Sequence, residues 1–364
     1  MDRGRLRYWL ALGRVKGLLR REIKDALATV LDAGDFFSPR QIDNAAANRA
    51  REAAIGFKDW KAVDKELDLL EKHGARIITF KDSDYPALLK EIDSPPPFLY
   101  AKGRSAGADF AAVAVVGTRT PSRYGLAASE TIARDLASSG VTVVSGLARG
   151  CDTAAHKGSL AANGYTIAVL GTGIDIVYPR ENKALFDEIA EDGLIVTEYS
   201  FSTPPQPGNF PARNRIISGI SLGVIVCEAP LKSGAMMTAK LALESGREVF
   251  AVPGNATSDK SSGSNKLIKD GAYLAENARD VLEVLFPGKS FAAQTGGAKH
   301  ATSTESADER KLLKALEDEA LHIDAIAELA GLSAQKASAL LLEMELKGLV
   351  EKLPGMRFAR KIQR

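Results

Sequence analysis

Arginines and hydroxyl side chains recur just behind glycines in the middle of this chain. The segments are Gly117-Thr-Arg-Thr-Pro-Ser-Arg123, Ser145-Gly-Leu-Ala-Arg149 and Phe210-Pro-Ala-Arg-Asn-Arg215. A guanidinium forks two donors onto one phosphate or carboxylate, and a glycine lets backbone N–H groups approach the same anion. The pattern therefore points to anion binding, and two such loops side by side would cradle one phosphate or two. The first loop offers Gly117, Thr118, Arg119, Ser122 and Arg123, the second Ser145, Gly146 and Arg149. Phe210, Arg213, Asn214 and Arg215 follow in the third, and Gly234 opens the run Ser233-Gly-Ala-Met-Met-Thr-Ala239. On a helix, Arg213 and Arg215 diverge by about 200°. One is expected to face the pocket and the other to anchor structure or a second phosphate. Phe210 supplies either a ring for a base to stack on or simple loop packing.

Asp152 and His156 are four residues apart near a helix start, a spacing that puts both on one face. Acid–base chemistry, half a metal site, and loop ordering or ligand contact all fit that spacing. With four histidines in the chain and no second His close by, no metal site is expected. No Gly-x-x-x-x-Gly-Lys-Ser/Thr, strand-linked Gly-x-Gly-x-x-Gly or Gly-x-Ser-x-Gly occurs, which disfavours a P-loop ATPase, a dinucleotide dehydrogenase and an α/β-hydrolase. No cofactor is expected.

The elements that must position these residues are short apolar runs, each ending in a glycine-containing turn. They are Val113-Ala-Val-Val-Gly117, Val141-Thr-Val-Val-Ser-Gly146, Thr166-Ile-Ala-Val-Leu-Gly171 and Val249-Phe-Ala-Val-Pro-Gly254, joined by Leu194–Glu198 and Leu222–Glu228. Continuous rather than alternating apolar strands indicate burial on both faces, and helical stretches such as Gly125–Ser138 and Thr238–Glu244 separate them. The expected fold class is α/β, a doubly wound, Rossmann-like parallel sheet. Its loops fall along the carboxyl edge of the strands, where helix N-termini attract anions.

Domain organisation follows from composition shifts. Residues 1–80 read as a small helical domain, 81–286 as the Rossmann-like domain, 287–307 as a Gly/Ser/Thr-rich linker and 308–364 as a winged-helix-like domain. The last has helices over Glu309–Leu316, Ile323–Ala330 and Ala334–Lys347, a turn at Ala330-Gly-Leu-Ser333 and a hairpin over Leu349–Phe358. Its recognition-helix candidate carries few basic groups, and ten basic residues balance ten acidic ones from Asp308 to Arg364, which favours protein contact or packing over duplex reading. Net charge for all 364 residues is only +2, so any basic footprint is local. No apolar run approaches a membrane span, no signal-peptide core follows Met1, and Cys151 and Cys227 stand alone. A cytoplasmic location is expected.

Taken together, Val116-Gly-Thr-Arg, Ser145–His156, Gly171-Thr-Gly-Ile-Asp-Ile-Val-Tyr-Pro-Arg-Glu-Asn182, Phe210–Gly219, Ser233–Ala239 and Phe250-Ala-Val-Pro-Gly254 resemble the DNA-processing protein A family, DprA or Smf. The resemblance implies an extended Rossmann-like domain that binds single-stranded DNA, forms a homodimer and helps load RecA recombinase during natural transformation, without catalysis. It implies that Gly117, Thr118, Arg119, Ser145, Gly146, Arg149, Phe210, Asn214 and Arg215 line the DNA pocket. The compact Gly-Val-Gly turn common in the family's N-terminal domain is absent: the comparable stretch is Leu12-Gly-Arg-Val-Lys-Gly17, kept basic by Arg14, Lys16, Arg20 and Arg21.

Two other functions fit the same residues. A nucleoside-monophosphate phosphoribohydrolase-like enzyme needs a carboxylate in the loop around Ser233–Lys240, which has none, although Glu198 and Glu228 stand at strand ends. A nucleotide-reading adaptor would use the same pocket and pass the signal through the winged helix.

Overall fold

The computed structural model describes residues 2–15, 20–105, 107, 110–288, 307–316, 321–346, 349–353 and 355–360. They fall into two compact units, Met1–Gln294 and Thr295–Arg364.

Nine strands form the sheet of the first unit: β1 Arg76–Thr79, β2 Phe98–Gly103, β3 Ala112–Val116, β4 Thr142–Ser145, β5 Thr166–Val169, β6 Leu194–Thr197, β7 Gly223–Val226, β8 Glu248–Ala251 and β9 Tyr273–Leu274. Their order is β1-β2-β6-β5-β4-β3-β7-β8-β9. All pairings from β6 across to β9 are parallel, and β2 and β1 extend the sheet antiparallel at one edge.

Every residue of β3 to β7 is buried, as continuous apolar strands between two helical layers require. The two-residue period divides them: Val113, Val115 and Val143 pack with Ile132 and Leu136 on one face. Ala114, Val116 and Val144 pack with Ile216 and Ile217 on the other. From β3 the chain winds one way through β4, β5 and β6, then returns to β7 on the opposite side of β3. That reversal opens a crevice beyond the carboxyl ends of the strands, where open α/β sheets bind ligands.

The N-terminal helices include Arg3–Arg14, Ala45–Ile55 and Trp60–His73, the last closed by Gly74 in the left-handed conformation (φ 60°). Their core is continuous with the sheet's. Buried Glu66 ties the two together, accepting from Tyr100 Oη on β2 at 2.6 Å and from Arg14 Nη2 at 2.7 Å. Arg14 is thereby committed to a carboxylate, while Lys16 and Gly17 of the basic turn, with the Arg20 and Arg21 side chains, lie outside the described residues.

The second unit packs helices Ala307–Ala315, Ile323–Ala330 and Ala334–Leu346 around Leu312, Ile326, Leu341 and Phe358. Strands β10 Leu321–His322, β11 Val350–Leu353 and β12 Arg357–Arg360 form an antiparallel sheet in the order β10-β12-β11. Gly331, at φ 65°, makes the turn between the last two helices, with Leu332 N donating to Ala327 O at 2.9 Å. This is a winged helix-turn-helix. Residues 289–306 of the expected linker lie outside the described residues. Among the described residues, no helix is long and apolar enough to cross a membrane.

Candidate nucleic-acid interface

The first two expected loops leave β3 and β4 at their carboxyl ends, and the glycines serve contacts within the protein. A Cβ on Gly117 would overlap Cys151, lying 2.7 Å from its Cβ. The first loop is held by Thr118 N donating to Glu228 O (2.7 Å) and Cys151 N donating to Thr118 O (3.2 Å). Glu228 is buried and accepts from Ser122 N (2.7 Å) and Ser122 Oγ (2.8 Å), so Ser122 caps and fixes the following helix, Arg123–Ser138.

The second loop is organised by an internal anion. Asp152 Oδ2 accepts from Gly146 N at 3.2 Å and Ala148 N at 3.4 Å, occupying donors that a bound phosphate would otherwise use. Of the three uses open to the Asp152–His156 pair, Asp152 performs loop ordering. His156 bonds to Thr166 Oγ1 through Nδ1 at 2.8 Å. Gly146 also leaves room for Arg213, whose Cζ would be 2.6 Å from an added Cβ. Ser145 Oγ donates to Val115 O at 2.7 Å inside the sheet and does not reach the cleft lining.

Helix Asn209–Ile220 carries the third loop, and its periodicity separates the two arginines. Arg213 is buried, donates to Val169 O and faces the cleft; its Nε has no partner. Burial lowers its pKa to about 10, opposed by Asp152 and reinforced by Arg119, leaving a cation at neutral pH. Burial raises the Asp152 pKa from its ordinary value, against the pull of Arg213 and the loop N–H groups. Arg215 turns away to pair with Glu198 at 2.6 Å, both side chains largely enclosed.

An open cleft of about 1440 Å³ runs over these loops, lined by Thr118, Arg119, Phe210, Asn214, Lys232 and Gly234 among others. A shallow recess shares Arg119, Phe210, Tyr178 and Arg213 with it and adds Gly146, Arg149 and Gly171. Across the mouth runs a row of cations and rings. Arg119 is exposed, makes no ion pair among the described residues and lies with its Cζ 5.3 Å from the Phe210 centroid. Phe210 pairs with Tyr178 at 5.5 Å, and Arg149 beyond is bonded to Glu181. Gly171 lets the Phe210 ring lie against the loop after β5: an added Cβ would stand 2.8 Å from Phe210 Cδ1.

Residues 76–286 match the family described as DNA recombination-mediator protein A. The chain belongs to this family. Residues 297–356 match its winged helix domain, described as that of DprA. Protein Smf of Synechocystis is 37% identical over 97% of this chain and 98% of its own. The DNA processing protein DprA of Streptococcus pneumoniae is 45% identical over 55% of this chain and 71% of its own. In solved structures, DNA processing protein A from S. pneumoniae superimposes with a TM-score of 0.65 at 36% identity, covering 76% of this chain and 96% of that one. The protein from Helicobacter pylori, whose structure is described in terms of its single-stranded DNA binding mode, gives 0.53 at 34% identity over 58% and 95%.

Among the residues expected in this family member's pocket, the structure brings Gly117, Thr118, Arg119, Gly146, Arg149, Phe210, Arg213, Asn214 and Gly234 to the cleft and recess. Ser122, Arg123, Ser145 and Arg215 are not among the lining residues: Ser122 is a helix cap, Ser145 bonds inside the sheet and Arg215 is held by Glu198. Arg123 is exposed in the first turn of its helix. Lining residues missed by the sequence reading include Tyr178 and Lys232. Tyr178 lies inside the Gly171–Asn182 motif, and an aromatic followed by proline in such a loop was the signal available. Among the described residues no group of His, Cys, Asp and Glu could hold a metal ion.

Proposed function

We propose that the cleft binds single-stranded DNA without cleaving it, and that this family member is a recombination mediator that loads RecA recombinase onto the bound strand during natural transformation. The observation that carries this reading is the row at the cleft mouth: an exposed Arg119 that makes no ion pair among the described residues, set against the Phe210 ring and leading to Tyr178. Guanidiniums and Lys232 take phosphates, the rings take bases, and neither interaction depends on which base is present. The single-stranded DNA binding mode described for the H. pylori relative supports the same ligand. In this reading the protein works as a cytoplasmic homodimer that offers two clefts to one strand, and its winged helix contacts protein.

The hydrolase alternative loses its carboxylates. Glu228 is engaged by Ser122, Glu198 by Arg215, and among the described lining residues Asp152 supplies the one carboxylate, which already holds two backbone N–H groups. Titration of labelled oligothymidine at two salt concentrations, beside an assay for base released from nucleoside monophosphates, separates the readings. Salt-sensitive strand binding without base release is expected. Base release abolished by Glu198→Ala or Glu228→Ala would overturn the proposal, as would a lack of strand binding at low salt.

A further inference from the structure

Two cations stand at the ends of the row across the cleft mouth, and they are not in the same state. Arg119 has no ion pair among the described residues. Arg149, beside Tyr178, donates through Nε to Glu181 Oε1, which raises the arginine's pKa and lowers that of the glutamate. The loops carrying this pair are joined independently by buried Asn182, whose Nδ2 donates to Leu147 O at 3.0 Å and Thr153 Oγ1 at 2.9 Å. The fold therefore does not need the ionic tie. Arg149 and Glu181 side chains are 62% and 52% exposed, and ion pairs so open to water are weak enough for a competing anion to replace.

We propose that Glu181 is a built-in competitor for the strand: its carboxylate occupies Arg149 in the free protein, and a backbone phosphate must displace it to use that guanidinium. This inference rests on the strand-binding reading and adds a determinant of affinity to it. Asp152 is a second internal anion, but it is buried and holds the loop's shape, so it is not exchangeable in the same way.

Fluorescence anisotropy with labelled oligothymidine at low salt tests this with wild type, Glu181→Gln, Arg149→Ala, the double variant and Glu191→Gln. Glu191 is an exposed acid at the far end of the following helix and controls for net charge. Glu181→Gln is expected to tighten binding by roughly two- to five-fold. Arg149→Ala is expected to weaken it, the double variant to match Arg149→Ala, and Glu191→Gln to match wild type. Unchanged or weaker binding by Glu181→Gln overturns the proposal, as does a gain of the same size in the Arg149→Ala background or from Glu191→Gln. Wild type that binds, with Arg119→Ala weakened and Glu181→Gln unmoved, overturns this inference alone. No binding by wild type overturns it together with the strand-binding reading.

Discussion

Replacing Gly171 by alanine moves Phe210 without deleting it. The new Cβ would lie 2.8 Å from Cδ1 and 3.1 Å from Cε1 of the ring. Carbon atoms rest about 3.5–4.0 Å apart, so the ring must retreat by roughly 1 Å. Gly171 does not have a positive φ, so the backbone itself tolerates alanine. The half-buried ring has the open cleft to move into, and it carries its contacts with Arg119 and Tyr178 along. A base stacked on an aromatic contributes about 1–3 kcal/mol; losing part of that, about 1 kcal/mol, weakens binding roughly five-fold. Anisotropy with labelled oligothymidine at fixed salt reads the change, and thermal melting checks that the fold is intact. Gly208→Ala is the control, since a Cβ there meets nothing within 4 Å. Equal affinities for wild type and Gly171→Ala, or an equal loss in Gly208→Ala, would refute the role given to the ring.

Two further predictions concern stability. Thr166 Oγ1 already donates to Val143 O, so His156 Nδ1 must carry the hydrogen of its bond to Thr166, leaving buried Nε2 unpartnered. Burial, with Arg213 nearby, lowers the His156 pKa to about 3. The unfolded imidazole binds its proton near the ordinary value of about 6.5, so between these values the unfolded state holds more protons and acid favours it. Stability should fall by about 1.4 kcal/mol between pH 7.5 and 5.5 from this group alone. Denaturant melts at both pH values, with His156→Gln removing that part of the slope, check it; an unchanged slope in the variant rejects it. Arg215→Ala should cost about 3 kcal/mol by removing a guanidinium that Glu198 pairs with in an enclosed site, so it should lower the melting temperature before it says anything about the strand. A wild-type melting temperature in that variant would count against the structural role.

The strands from β3 to β8 were legible because burial on both faces leaves uninterrupted apolar runs: β4 to β7 fall within the segments read as strands, and β3 and β8 begin one residue earlier. Helical periodicity also separated Arg213 from Arg215. It could not tell which faced the cleft, because that depends on Gly146 opposite one and Glu198 opposite the other. The glycines were visible, but their partners were not. Gly117, Gly146 and Gly171 make room for Cys151, Arg213 and Phe210, and each such contact joins segments well apart in sequence. Ser145 shows the same limit, since a hydroxyl at a strand end can turn toward a ligand or into the sheet, and here it bonds Val115 O. The internal anions are the largest departure. Asp152 and Glu181 already engage groups that the spacing offered to phosphate.

In the proposed binding mode, exposed guanidiniums at the cleft mouth hold the phosphates of a single strand, and Arg119 is the one among them that makes no ion pair among the described residues. The most direct test is the salt dependence of oligothymidine binding by wild type and Arg119→Ala, with circular dichroism to confirm folding. The plot of log affinity against log salt should become shallower by about 0.7 in the variant, the share of one phosphate contact on a single strand, with weaker binding at every salt concentration. Identical affinity and slope in the two proteins would contradict the account.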